Sequence, residues 1–242
     1  MKITIITVVK NDEKNIETTI QSILNQNVDI EYIIIDGNSS DSTLNLIQKY
    51  KNKINLIISE NDDGIYDAMN KGIRHANGDV IGFCNSGDVL NQGGLNHVIN
   101  AFKKNNCDYV FATVKRNYTG SSIIKHGFDL KRIKYNFDFA TAHTTGFYLK
   151  KNAYLEIGLY DTNFKCSADY DLYFRMINAK KYKGESTPQD IVIGEVARGG
   201  FSYETSFIEH LNEETKIRLK NRQSFIIIFI IYINALIKKI FK

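Results

Sequence analysis

Four short runs of β-branched and apolar residues alternate with helical patterns over the first third of the chain. The runs are ITIITVV (residues 3–9), EYIIID (31–36), NLIIS (55–59) and DVIGFC (79–84). Runs that are apolar almost throughout are typical of strands buried on both faces of a parallel sheet. With the helical patterns between them they give a β-α-β-α-β-α-β order, which predicts a doubly wound α/β sheet.

A polar segment follows each of the four predicted strands. Lys10 and Asn11 follow the first strand, Asp36 ends the second, and residues 60–63 and 85–88 follow the third and fourth. In doubly wound sheets, ligands bind beyond the carboxyl ends of the strands, near the point where the strand order reverses. Four solvated turns would be equally polar, but their shared position favours one binding site at this edge.

The rest of the chain is less regular. DYVFATVKRNY and SSIIKHGF predict strands that we expect to be antiparallel, and DIVIGEVARGGFS predicts a strand and a turn. LKKNAYLEIG and ADYDLYFRMINAKK predict helices.

The C-terminal sequence SFIIIFIIYINALIKKIFK (224–242) has a different character. A helix over residues 225–237 would be roughly 20 Å long, shorter than the ~30 Å core of a bilayer. Lysines and arginines flank it on both sides. Basic flanks around a short apolar helix favour a helix lying in an anionic membrane surface. Packing against the core or a second subunit is the alternative.

Charge and cysteine content limit the other classes of partner. Lys and Arg number 31 and Asp and Glu 27, and the resulting +4 is too small to indicate nucleic acid as the main partner. The three cysteines match no CxxC pattern, which favours a reduced, cytoplasmic setting. The N-terminal MKITIITVVK lacks a long apolar region and a cleavage site, so we interpret it as a strand rather than a signal peptide.

Several side chains are candidates for chemistry. Asp36 can accept a hydrogen bond from a nucleotide base, or can cap its own turn. Asp88, preceded by a glycine, suits a hard cation that holds a diphosphate, or an ordinary turn. Asp169 and Asp171 lie two positions apart on a predicted helix and so face different directions. One can point into a cleft while the other pairs with Arg175 at i+4.

Five segments in order resemble glycosyltransferase family 2, the inverting family with the GT-A fold. The GIYDAMNKG form within them resembles the branch that builds bacterial surface polysaccharides. The segments are TVVKN (7–11), IIIDGNSSDST (33–43), SENDDGIYDAMNKGI (59–73), NGDVIGFCNSGDVL (77–90) and HTTGFYLKKNAYLEIGLYDTNFKCSADYDLYFRM (143–176).

The resemblance implies roles for the matching positions. Asp169 would be the base that deprotonates the acceptor hydroxyl, and Asp88 would hold Mn²⁺ or Mg²⁺. His143 lies where the family often has a His-Gln pair near the donor. The residues expected to bind or line the donor site are Thr7, Val9, Asn11, Asp36, Asp67, Lys71, Ser86 and His143.

The resemblance also implies the reaction and its place. A hexosyl or N-acetylhexosaminyl group would pass from a nucleotide-sugar donor, expected to be UDP-linked, to a lipid-linked or oligosaccharide acceptor at the cytoplasmic membrane face. Residues 1–205 would form the GT-A domain, with 1–90 as the nucleotide-sugar half and 91–205 as the acceptor half. Residues 206–242 would form a helical tail that can contact the membrane.

The chain departs from the family pattern in four places. Asn85 and Gly87 stand where the family usually has Asp, Ala168 replaces an acid before the base, and Thr144 replaces the Gln after the His. A non-catalytic partner protein with this fold is therefore one alternative. A nucleotidyltransferase is another, although such enzymes usually carry a Gly-rich loop with Arg and Pro where this chain has KNDEKN. The sugar, the acceptor, the linkage and the oligomeric state are left open.

Overall fold

The computed structural model describes residues 1–118, 120–125, 135, 144–198 and 205–240. The strands are β1 (Ile3–Val9), β2 (Ile30–Asp36), β3 (Leu56–Ser59), β4 (Val80–Phe83), β5 (Val89–Leu90), β6 (Tyr109–Phe111), β7 (Val114–Tyr118), β8 (Ser121–Lys125), β9 (Phe147–Lys150), β10 (Gly184–Ser186) and β11 (Gly194–Val196). The helices are α1 (Ile16–Leu24), α2 (Thr43–Gln48), α3 (Ile65–His75), α4 (Gly94–Asn105), α5 (Lys151–Ile157), α6 (Ala168–Ala179), α7 (Phe207–Lys220) and α8 (Phe225–Ile240). A short 3-10 helix, Thr144–Gly146, precedes β9.

Seven strands form one mixed sheet in the order β10-β6-β9-β4-β1-β2-β3. β3, β2, β1 and β4 run parallel, and β9 runs antiparallel to its neighbours β4 and β6. All seven residues of β1 are buried, as its apolar run requires. The predicted α/β sheet with a parallel half is therefore confirmed.

The strand order reverses between β1 and β4. Right-handed crossovers then place α1 and α2 on one face of the sheet and α3 on the other. α3 lies very close to β1, because a Cβ added at Gly72 would come within 2.5 Å of Ile6. The reversal leaves the loops after β1 and β4 side by side at the carboxyl edge, where ligands of doubly wound sheets bind.

A smaller sheet, in the order β5-β11-β7-β8, adjoins this edge. β7 and β8 form the antiparallel pair expected from the sequence. β11 pairs with β5, which begins directly after Asp88. The strand predicted within DIVIGEVARGGFS is β11, and the paired glycines 199 and 200 lie outside the described residues.

The C-terminal helices pack in sequence on the body of the molecule. α7 lies against α6, and α8 lies against α7 through Ile228, Ile231 and Ala235. Across the described ranges, no helix combines the length and the apolar character needed to cross a membrane. The three cysteines are buried and form no disulfide.

Candidate active site

The four strand-end loops meet through hydrogen bonds between their polar side chains. Asn11, after β1, accepts from the backbone N–H of Ser40 through Oδ1 at 2.8 Å. Ser86, after β4, donates to Asp12 Oδ2 at 2.6 Å, which joins the two loops at the reversal of strand order. Asn38, after β2, donates to Asn61, after β3, at 3.2 Å. The expectation that these loops share one edge is confirmed.

Asp36 is fully buried at the end of β2. Its carboxylate accepts from the Ser39 hydroxyl at 2.5 Å, the Ser59 hydroxyl at 2.6 Å and the Ser39 backbone N–H at 3.2 Å. Asp36 therefore ties the loop after β2 to the end of β3. This is the turn-stabilising alternative seen in the sequence, and a contact with a base would add to it.

The three predicted site residues in β1 and directly after it differ in how far their side chains are exposed. Thr7 is fully buried and donates to the Cys84 carbonyl at 2.7 Å, so its side chain joins β1 to the residue that follows β4. Val9 is also buried, and its carbonyl accepts from the Gly37 N–H at 2.9 Å. Asn11 is exposed, with a left-handed φ of 51°, which Asn tolerates better than most residues. Among these three, only the Asn11 side chain is exposed to a ligand.

Lys71 on α3 closes the loop after β3. Its ammonium lies 2.9 Å from Glu60 Oε1 and 3.2 Å from Asp67 Oδ2, and donates to the Asn61 carbonyl at 2.7 Å. The hydrogen bond to Glu60, with that to Asp67, raises the pKa of Lys71 above its ordinary value. Asp67 and Lys71 pair at the i+4 spacing of a helix, and the contacts of Lys71 with Glu60 and Asn61 hold the loop to α3.

Asp88 is buried, with 4% of its surface exposed. Its Oδ2 accepts from the Thr145 hydroxyl at 2.5 Å and its Oδ1 from the Ala197 N–H at 2.9 Å. The nearby Asn85 Oδ1 is buried and has no hydrogen-bond partner in the part of the chain that the structure describes. Nor do the described residues contain a group of three His, Cys, Asp or Glu that could hold a metal. The donor set fits a hard cation that brings phosphate oxygens with it, and does not fit one held by protein alone.

Asp169 lies in the first turn of α6 and is partly exposed. Its Oδ1 accepts from the Tyr66 hydroxyl at 3.2 Å and from the Tyr170 N–H at 2.9 Å. Burial raises the pKa of the Tyr66 phenol well above its ordinary value, and the charge of Asp169 adds to this, so Tyr66 remains a donor. Since Tyr66 lies in the first turn of α3, just after the loop that follows β3, this bond places Asp169 beside the strand-end loops.

Aromatic packing links the same corner to the end of β4. The rings of Tyr66 and Tyr160 lie 5.4 Å apart, and that of Tyr160 lies 6.1 Å from that of Phe83, the last residue of β4. Such aromatic pairs contribute about 0.5–1.5 kcal/mol beyond their burial. The N-terminus of α6 is thus fixed against the strand that leads to Asp88.

Asp171 has the structural role that the two-residue spacing predicted for one of the pair. It is fully buried, and its Oδ2 accepts from Arg175 Nε at 2.8 Å. Its Oδ1 lies 3.0 Å from the Lys220 ammonium of α7. This pairing leaves Asp169 as the partly exposed carboxylate of the motif.

His143 lies outside the described residues, so its predicted role stays a prediction. Thr145, two positions later, holds Asp88 and was missed, because a threonine in a loop gives no signal of its partner. Tyr66 was missed because a tyrosine in an amphipathic helix indicates packing and gives no signal of a polar partner. Asn70, on the same helix, was also missed: it is buried and bonds both the N–H and the carbonyl of Tyr160.

Comparison with known proteins places most of this chain within one family model. The model for "Glycosyl transferase family 2" matches residues 4–164. The poly(ribitol-phosphate) beta-N-acetylglucosaminyltransferase TarP of Staphylococcus aureus is 31% identical over 134 residues, which are 53% of this chain and 41% of that protein. The chain thus spans less than half the length of this curated relative.

Solved structures show the same fold at low sequence identity. S. aureus TarS 1–349 in complex with UDP-GlcNAc has a TM-score of 0.72 and 18% identity, over 96% of this chain and 71% of that one. The mannosyltransferase PcManGT from Pyrobaculum calidifontis, in complex with GDP-Man and Mn²⁺, has a TM-score of 0.69 and 17% identity, over 96% and 68%. At these identities the likeness establishes the fold, which is GT-A.

Proposed function

The chain belongs to glycosyltransferase family 2, and from this premise we propose that it catalyses an inverting sugar transfer in bacterial surface polysaccharide synthesis. The donor is a UDP-linked sugar, and the acceptor is a hydroxyl of a lipid-linked chain or an oligosaccharide. The observation that carries the proposal is the Asp169 carboxylate, held by Tyr66 beside the strand-end loops. A relative named for action on poly(ribitol-phosphate) and a neighbour solved with UDP-GlcNAc support the polymer acceptor and the UDP donor.

Asp169 acts as the general base. It takes the proton of the acceptor hydroxyl, whose oxygen bonds to the anomeric carbon as the bond from that carbon to the nucleoside diphosphate breaks. Attack comes from the face opposite the leaving group, which departs with the bonding electrons, so the configuration inverts. The Tyr66 hydroxyl orients the carboxylate, and a hydrogen bond to the charged form of a base favours that form.

The strand-end loops form the donor side. Asn11 and Ser86 offer side chains at the reversal of strand order, with Val9 and Asp36 forming the wall behind them. Thr7 supports this wall from within the sheet. Lys71 and Asp67 reach a diphosphate only by exchanging partners, because Glu60 and Asn61 already bind the Lys71 ammonium.

The charge of this edge supports a divalent cation. Residues 10–15, 37–42, 60–64 and 85–88 carry seven carboxylates and two lysines, a balance that repels a nucleoside diphosphate. We place Mn²⁺ or Mg²⁺ at Asp88, with the buried Asn85 Oδ1, which no described residue hydrogen-bonds, as a second ligand. When bound, the ion offsets the negative charge that grows on the leaving group. Chelation should therefore lower turnover, and full activity in excess EDTA would rule this role out.

A thermal-shift screen of nucleotide sugars with Mn²⁺ tests the donor, and product analysis tests the reaction. We expect a UDP-sugar to raise the melting temperature, and an α-linked donor to give a β-linked product by NMR. Stabilisation by nucleotide sugars of another base would correct the nucleotide. A product with retained configuration would contradict the mechanism.

Asn85 and Gly87 stand where the family usually has Asp. This loss of carboxylates favours one competing function, a partner protein that keeps the fold without transferring sugar. Transfer by the wild-type chain that is lost in Asp88→Asn decides against it. Wild-type inactivity on a broad panel of donors and acceptors decides for it.

We propose further that α8 rests on an anionic membrane surface. One face of the helix packs on α7, while Phe225, Ile226, Phe229 and Ile230 are 57–72% exposed. Lys238 and Lys239 lie in the last turn, and Lys220 and Arg222 precede the helix. An exposed apolar face with basic flanks matches the interface of a bilayer that carries anionic lipid.

Flotation with anionic vesicles tests this surface. The double variant Phe229→Glu/Ile230→Glu should lose binding to vesicles with anionic lipid, while Leu155→Glu, an exposed apolar residue on α5, should keep it. Unchanged partition of the double variant would contradict the membrane contact. A change from dimer to monomer in sedimentation, without an effect on flotation, would assign the face to a second copy of the chain.

A further inference from the structure

Helix α7 lies beyond the residues that the family model matches, and it contacts the loop that leads to Asp169. α7 begins 43 positions after the end of the matched residues 4–164. Its Glu213 carboxylate accepts from the Lys165 N–H at 2.7 Å through Oε1, and from the Cys166 N–H at 2.9 Å through Oε2. These two backbone groups lie directly before Ser167, the N-cap of α6. One carboxylate thus fixes the entry of the chain into the helix whose first turn carries Asp169.

The C-terminal half of α7 contacts the residues that follow Asp169 in α6. Arg218 is buried, donates to the Tyr170 hydroxyl and lies over the Tyr170 ring at 5.4 Å. Lys220 bridges Asp161 at 2.7 Å and the buried Asp171 at 3.0 Å. The residues before and after the base are therefore bonded to the same helix.

We propose that Glu213 is a positioning residue for Asp169, and that α7 is a part of the catalytic centre rather than of a separate tail. The inference rests on the proposed function, in which Asp169 is the base. Hydrogen bonds to a carboxylate are among the stronger ones in proteins, so Glu213 limits how far the loop of residues 164–167 can move. Loss of this restraint lets the start of α6 fluctuate and moves the carboxylate out of line with the acceptor hydroxyl, although Glu213 touches neither substrate.

The test compares Glu213→Ala with Glu213→Gln and with Glu209→Ala in the full chain. Glu209 forms the capping box of the same helix with Ser206 and, among the described residues, hydrogen-bonds no backbone group of the loop before α6. It acts on that loop only through its charge near Lys165, so its loss weakens α7 and leaves the loop's hydrogen bonds in place. Glu213→Ala leaves two backbone N–H groups without their acceptor and should destabilise the chain more than Glu209→Ala does. Activities are therefore compared at a temperature where both variants are folded.

We expect Glu213→Ala to lower kcat about tenfold while the KM for the donor stays within twofold of wild type. Glu213→Gln keeps one acceptor oxygen for the loop and should recover part of that loss. Glu209→Ala should keep the wild-type kcat at a temperature where all the variants are folded. Equal kcat values for Glu213→Ala and Glu209→Ala would overturn the proposal.

The Asp169→Asn variant separates this inference from the function on which it rests. If Asp169→Asn is inactive while Glu213→Ala is fully active, the positioning role fails and the base assignment stands. If Asp169→Asn transfers sugar at the wild-type rate, the base assignment fails and the positioning role with it. A Glu213→Ala variant that loses donor affinity rather than kcat would place Glu213 in support of the donor side.

Discussion

Two buried carboxyl groups show how differently the donor edge and the surroundings of the base are built. Asp36, at the edge, is fully buried and accepts three hydrogen bonds from Ser39 and Ser59. Glu214, on α7, is 1% exposed, and its carboxyl oxygens have no hydrogen-bond partner among the described residues. The Arg218 guanidinium lies 3.8 Å from its Oε1.

The difference separates a preformed scaffold from a region under electrostatic strain. Short polar side chains from neighbouring loops hydrogen-bond the buried carboxylate at the donor edge, so the geometry of the edge is set before any ligand binds. Behind the base, burial of the Glu214 carboxyl raises its pKa to about 8, although the nearby Arg218 charge and Tyr170 hydroxyl act to lower it. Substitutions at the edge should therefore change folding and donor binding together, whereas those near the base should separate chemistry from stability.

The largest effect is expected from Asp36→Ala. Removing this carboxylate leaves the Ser39 and Ser59 hydroxyls without their acceptor, which should lower the free energy of unfolding by about 2–3 kcal/mol and weaken donor binding. Asp41→Ala, on the same loop, removes a partly exposed carboxylate that accepts from the N–H groups of Thr43 and Glu13, and it should cost less than Asp36→Ala. Urea unfolding measures both, and equal costs would break the contrast.

Tyr66→Phe should reduce activity with little change in stability. The variant removes one donor to Asp169, a loss of about 1 kcal/mol, which corresponds to roughly a fivefold fall in kcat. The carboxylate also loses a hydrogen bond that favours its charged form, so the acidic limb of the pH–rate profile should move to higher pH. Steady-state kinetics across pH measure both effects.

Tyr148→Phe is the matched control for that variant. The Tyr148 hydroxyl is also buried, but it has no hydrogen-bond partner within the described ranges. Its removal should leave kcat and the pH profile unchanged and should not lower stability. An identical pH profile for Tyr66→Phe and the wild type would show that the Tyr66 hydroxyl does not act on the base.

Glu214→Gln should give an effect that is absent near pH 4.5 and appears only as the pH rises. Between about pH 4.5 and 8 the unfolded chain has lost the Glu214 proton, while the folded chain keeps it. The unfolded state then binds fewer protons, so this group makes stability fall as pH rises through that window. Melting temperatures should agree near pH 4.5 and increasingly favour Glu214→Gln towards pH 8, and parallel curves would contradict the raised pKa.

The sequence predicts the donor edge well because its determinants are local. The apolar runs at residues 3–9 and 31–36 became β1 and β2 almost residue for residue, and each polar segment directly follows its strand. The i+4 pairs Asp67–Lys71 and Asp171–Arg175 were also predictable from helix geometry alone.

The surroundings of the base depend on contacts that the pattern along the chain does not carry. Tyr66 lies 103 positions from Asp169, and Glu213 lies 47 from Cys166. A tyrosine in an amphipathic helix and a glutamate in a charged helix are both common, so neither residue indicates its distant partner in the sequence. Only the packing of α3 and α7 against α6 gives these side chains their partners.

The rate of sugar transfer by Asp169→Asn, beside its donor affinity, tests the central claim most directly. The amide keeps the shape of the carboxylate but cannot accept the proton of the acceptor hydroxyl. We predict donor binding close to that of the wild type, measured by thermal shift, and a transfer rate lower by about 10²–10⁴-fold. Transfer at the wild-type rate by a folded Asp169→Asn protein would contradict the account.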